Sequence, residues 1–122
     1  MLKIKRAYEG KSKDDGAWIY VDRLWPRGLS KAEFQPDEWF KELSPSDGLR
    51  KWFGHEPEKF GEFRKRYAEE LSAPEKRTLL KRVAAMARKD KVTLVYSAKD
   101  TEHNNAVVLQ ELISKLMNDG ES

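Results

Sequence analysis

Two short apolar runs constrain this chain more than any other feature. Ala17 to Val21 (AWIYV) is apolar without a break and ends at Asp22, and Val92 to Ala98 (VTLVYSA) is dense in β-branched residues. Runs of this kind read as strands, the first of them buried on both faces. Helical spacing fills Asp37 to Lys89 between them. Two strands joined through helices favour a parallel pair with a right-handed crossover. An earlier strand is expected where Leu2 and Ile4 alternate with Lys3 and Lys5, with Arg6 and Tyr8 continuing the apolar face. Only the turn-like stretch EGKSKDDG separates it from AWIYV, and on length alone a hairpin is favoured there.

The helical region resolves into stripes. Trp39, Phe40 and Leu43 share one face; Leu49, Trp52 and Phe53 share another, behind Ser46 or Asp47 as N-caps. Phe60, Phe63, Tyr67 and Leu71 follow Pro57, and Leu79, Leu80, Val83, Ala84 and Ala87 follow Pro74. After the third strand, the polar loop Lys99 to His103 leads to a last helix carrying Leu109, Leu112, Ile113, Leu116 and Met117. The expected fold is a single α/β domain over residues 1–118, with a small, mostly parallel sheet flanked by helices and a frayed tail at 119–122.

Composition removes several function classes. With no cysteine among 122 residues, a disulfide scaffold, a thiolate zinc site and a cysteine nucleophile are excluded. No apolar run approaches the ~20 residues that cross a bilayer, and MLKIKRAYEG lacks the apolar stretch of a secretory signal. A cytoplasmic protein with no membrane partner is expected. The 24 basic and 21 acidic residues leave a net charge of +3, too small by itself to imply nucleic-acid binding. Lys76, Arg77, Lys81, Arg82, Arg88, Lys89 and Lys91 do cluster, and read first as the solvated face of a helix, second as a nucleic-acid footprint. Four Trp residues, Trp18, Trp25, Trp39 and Trp52, leave open a third reading, an exposed protein-interaction patch.

In open α/β sheets, ligands bind beyond the carboxyl ends of parallel strands. The second strand empties into Asp22, Arg23, Trp25, Arg27 and Gly28. The third empties into Tyr96, Ser97, Lys99, Asp100, His103, Asn104 and Asn105, just ahead of a helix. If the strands are parallel neighbours, the two groups face each other across a site suited to an anion. The helix start offers unpaired N–H groups, and Arg6, Arg23, Arg27 and Lys99 supply positive charge, the arginines as planar forks. Gly28 allows close backbone approach, and Trp25 either stacks on a ligand or plugs the core. Asp22, Asp100 and His103 are the candidate proton-transfer groups. Each has a structural counterpart: an Asp22–Arg23 ion pair, a solvated His103, and Asn104 or Asn105 as a helix cap. His55 suits a helix terminus or turn. Two histidines and one nearby carboxylate lack metal-ligand spacing, and G-x-S-x-G, G-x-x-x-x-G-K-[ST] and G-x-G-x-x-G are all absent, so neither metal nor cofactor is expected.

Taken together, IKRAYE, DDGAWIYVDRLWPRGLSK, LRKWFGHEPEKFGEFRKRY and TLVYSAKDTEHNNAVVL resemble the YeaO-like branch of the domain of unknown function 488 family, from about Ile4 to Leu109. The resemblance implies a compact α/β domain whose signature positions here are Arg6, Asp15, Gly16, Asp22 to Gly28, Trp52 to His55 and Tyr96 to Asn105. It also implies that the first two strands run parallel rather than as a hairpin. The wider family carries a V-D-V-R-like strand end, matched by Val21-Asp22-Arg23, and a later Cys-His-Arg. Asn104-Asn105 stands near that later position, so chemistry resting on that Cys or Arg does not carry over. Some relatives are labelled transcriptional regulators, yet the nearest helix-turn-helix candidate, Leu71 to Pro74, has a breaker where its turn belongs. The expected function is therefore binding, with or without transformation, of a small phosphate-bearing anion at the strand ends; the alternative is a nucleic-acid-binding module using residues 76–91.

Overall fold

The computed structural model describes residues 1–119. Its elements run β1 (Leu2–Arg6), β2 (Ala17–Tyr20), β3 (Glu38–Trp39), α1 (Asp47–Phe53), α2 (Phe60–Glu70), α3 (Pro74–Lys89), β4 (Val92–Tyr96) and α4 (Asn105–Asn118). The four strands form one sheet in the order β1-β4-β2-β3, and every pairing is parallel. This is the α/β domain that the two apolar runs imply. Part of the expected frayed tail, residues 120–122, lies outside the described residues.

Alternation along the strands sorts side chains into two cores. Ile19 and Val21 of the AWIYV run, with Val92, Leu94 and Tyr96 of β4, face all four α-helices and meet Phe53, Phe63, Tyr67, Val83, Leu109 and Ile113. The intervening Trp18, Tyr20 and Val95 face the other way, against Ala7, Phe34, Trp25, Leu29 and Trp39, where loops and short turns replace helices. Both faces of β2 are thus covered, as its unbroken hydrophobicity requires.

The hairpin that loop length favours does not form. β4 lies between β1 and β2 and pairs in register with both, Leu2↔Val92 and Ala17↔Val92 being aligned. The chain therefore returns between them through 3₁₀ turns at Ala7–Glu9 and Lys13–Asp15. Gly16 makes the return possible: at φ +65° it brings β2 so close to β4 that a Cβ would stand 2.0 Å from the Lys91 carbonyl oxygen, which instead accepts the Ala17 N–H at 3.1 Å. A second departure is at Trp39 and Phe40, where helical spacing gives way to the edge strand β3 and a 3₁₀ turn at Lys41–Leu43. The Asp37 N–H donates to Trp18 O, the Phe40 N–H donates to Tyr20 O, and the Asp37 carboxylate accepts the Trp18 N–H at 2.8 Å. Pairing with the open edge of β2 thus overrides local periodicity, while Phe40 and Leu43 still reach the core.

The helices keep their expected stripes. Ser46 caps α1, its Oγ accepting the Leu49 N–H. Gly54, at φ +54°, ends α1 in the left-handed conformation glycine favours. The basic residues of α3 lie mainly on its solvent side, where Arg82 reaches Glu38 and Arg88 bonds the carbonyls of Leu116 and Met117. No described helix is long and apolar enough to cross a membrane. The tryptophans do not gather into one exposed face. Trp18 is buried; the half-buried Trp25 and Trp39 donate their indole N–H groups to Leu29 O and Asp22 O; and Trp52 lies beneath Lys59 and Arg66.

Candidate functional site

The carboxyl ends of β2 and β4 are neighbours, and the groups beyond them interlock. Asp22 Oδ2 accepts the Ser97 N–H at 2.9 Å and the Ser97 hydroxyl at 2.5 Å. Asp22 Oδ1 accepts from Asn105 Nδ2 at 2.9 Å, and the same amide also donates to Val21 O at 3.1 Å. One carboxylate therefore joins the end of β2, the end of β4 and the first residue of α4. Asn104 is the N-cap: its Oδ1 accepts the Val107 N–H at 3.0 Å, while its Nδ2 donates to Asp100 O.

The loop between β4 and α4 is ordered by Asp100. Its carboxylate accepts the backbone N–H groups of Glu102 and His103 and lies 2.9 Å from His103 Nδ1. The Glu102 N–H contributes most to holding the Asp100 carboxyl below its ordinary range, with the His103 contacts adding to it. The His103 ring is further fixed edge-on against Phe60 at 5.3 Å.

These groups open onto a cleft of about 680 Å³. Asp22, Arg23, Trp25, Arg27, Lys99, Asp100, His103, Asn104 and Asn105 all line it. The two stretches that the sequence places at separate strand ends do meet. Arg6, Gly28 and Tyr96 stand outside the lining. Arg6 donates from Nε to Ala98 O at 2.8 Å and lies over the Tyr8 ring, which itself lines the cleft. Tyr96 is buried in the helix-side core, where burial, and then the Glu9 charge, raises its hydroxyl pKa. Asp22 and Arg23 do not pair with each other: Arg23 instead lies 3.6 Å from Asp47, both being exposed.

The cations of the cleft are only thinly matched. Arg27 and Lys99 make no side-chain hydrogen bond or ion pair with any described residue, and Arg23 and Arg50 share the single exposed carboxylate of Asp47. Trp25 takes its core-plugging role while also lining the cleft, its ring edge-on to Phe34 and Trp39.

A third wall comes from α1 and the turns flanking it, which the sequence does not place at the strand ends although Trp52 to His55 belong to the family signature. Arg50, Phe53 and His55 line the cleft together with Ser44 and Pro45. Arg50 has an ordinary place in a helical repeat and carries no local motif. His55, which the sequence suits to a helix terminus or turn, is the one non-glycine residue with positive φ, +60°, among the described residues, a conformation uncommon outside functional or turn positions.

Comparison with known proteins places the chain among relatives that share nearly its whole length. It is 44% identical to the uncharacterized protein YeaO of Escherichia coli K12 over 115 residues, 94% of this chain and 98% of the relative. It is 34% identical to the uncharacterized protein Rv3073c of Mycobacterium tuberculosis over 113 residues, 93% of each chain. No solved structure matches. The family model described as "Inactive DUF488-N3 subclade" matches residues 1–121, and this chain belongs to that YeaO-like DUF488 family.

Proposed function

We propose that this protein binds a small phosphate-bearing anion in the cleft beyond β2 and β4, and that it binds without turning its ligand over. The observation that carries the reading is the pair of uncompensated cations, Arg27 and Lys99, in a concave site at the strand ends. Arginine forks suit phosphate oxygens, and such a cleft raises the local concentration of an anion. Binding rather than catalysis is supported by Asp22, whose oxygens are occupied by Ser97 and Asn105, and by the family's description as inactive. A cytoplasmic site of action is part of the reading.

A thermal-shift panel of inorganic phosphate, nucleotides and sugar phosphates tests it. A ligand present at a hundred times its Kd stabilises the native state by about 2.7 kcal/mol, and Arg23→Ala and Arg27→Ala are expected to lose most of that gain. Stabilisation that persists unchanged in both variants removes these arginines from the site. The second reading, nucleic-acid binding, draws on the exposed Arg77, Lys81 and Lys89 of α3. It requires affinity that falls steeply with salt and that disappears in the double variant Lys81→Glu, Arg82→Glu.

A further inference from the structure

The cleft offers more than a bare phosphate can use. Among the described residues three large hydrophobic side chains are exposed, and two of them, Tyr8 at 41% and Leu24 at 66%, line this one cleft. Opposite chemistry is thus combined in one place: cations from Arg23, Arg27 and Lys99, and apolar surface from Tyr8, Leu24, Pro45, Phe53 and Phe63. Tyr8 and Leu24, apolar side chains left in water beside a concave polar site, mark a ligand that covers them. The apolar part is also held in place. The Tyr8 hydroxyl donates to Arg27 O at 2.8 Å while the Arg6 guanidinium lies 4.9 Å from its ring centroid, and Phe53 stacks on Phe63 at 4.5 Å. A volume of about 680 Å³ exceeds what an inorganic anion fills and matches a ligand with a ring attached.

We infer that the ligand is a phosphate ester carried on a flat apolar ring, either a simple aryl phosphate or a nucleoside monophosphate. Its phosphate meets Arg23, Arg27 and Lys99, and its ring covers Leu24 and Tyr8. The inference rests on the anion-binding reading above and adds the ring to it.

Calorimetric titration of the full chain with phenyl phosphate, adenosine 5′-monophosphate, ribose 5-phosphate and inorganic phosphate tests it. At least one ring-bearing probe is expected to bind about tenfold or more tighter than ribose 5-phosphate and inorganic phosphate, the factor that burial of a ring-sized apolar surface supplies. The better of the two ring-bearing probes then identifies the source of the ring. Leu24→Ser, at an exposed position that the fold does not need, is expected to weaken the ring-bearing probe about threefold or more while leaving inorganic phosphate unchanged. Equal affinity for all four probes, or equal loss for inorganic phosphate in Leu24→Ser, overturns the ring and leaves the anion site standing. Failure of all four to bind overturns both.

Discussion

Two aspartates at opposite ends of β2 sit in opposite electrostatic surroundings. Asp15, just before the strand, is 1% exposed and saturated with partners, two of them charged: Lys3 at 2.8 Å, Lys5 at 2.9 Å, the Ser12 N–H and hydroxyl, and the Trp18 indole N–H. Burial by itself would raise its pKa, but the two ammonium groups and the N–H donors hold the carboxyl far below its ordinary value. Asp22, just beyond the strand, meets neutral donors only, from Ser97 and Asn105. Near it, Arg27 and Lys99 have no internal acid to answer them. At the first end the buried carboxylate is paired within the protein, so it holds the fold. At the second end Arg27 and Lys99 have no charged partner among the described residues.

Asp15→Ala sharpens the contrast most. It strands the half-buried Lys5 and the buried Trp18 N–H, and a loss of about 3 kcal/mol is expected in chemical unfolding. A loss below 1 kcal/mol would break the contrast at once. The same group dictates a pH dependence. Its native pKa is depressed, so its contribution is complete above the unfolded value near 3.9 and drains away as pH falls toward the native one. Stability is therefore expected to be level near neutrality and to decline below about pH 4, with a shallower decline in Asp15→Asn; identical acid profiles for the two proteins would contradict this. Asp22→Ala is expected to cost less, about 2 kcal/mol, because its partners are neutral and half in water. Equal costs at Asp15 and Asp22 would erase the distinction between the two ends. Arg27→Ala stands at the far limit: within about 0.5 kcal/mol of wild type in stability, yet with anion binding lost. A large stability loss would mean that Arg27 serves the fold instead.

Much of this was legible in the residues. AWIYV reads as a strand because it has no polar face and VTLVYSA because it is dense in β-branched residues; the helices between them make the pair parallel, and that direction puts the cations after each run at one end. Phe60, Phe63, Tyr67 and Leu71 gave α2 by spacing. The hairpin expected from EGKSKDDG failed because loop length carries no information about a third strand inserting between two others. Trp39 and Phe40 misled because an edge strand of two residues is stabilised by its neighbour's backbone, not by its own pattern. Arg50 joined the cleft only through the packing of α1, which no local motif encodes. Asp15 matched the family signature, but its pairing with Lys3 and Lys5 depends on β1 and β2 being brought together around β4.

The most direct test is an amide chemical-shift titration of the full chain with phenyl phosphate. Saturable shifts concentrated at residues 22–28 and 97–105, absent in Arg27→Ala, are the expected result. Shifts spread along α3, or no saturable shift at the strand ends, would show that the unanswered cations beyond β2 and β4 are not a binding site.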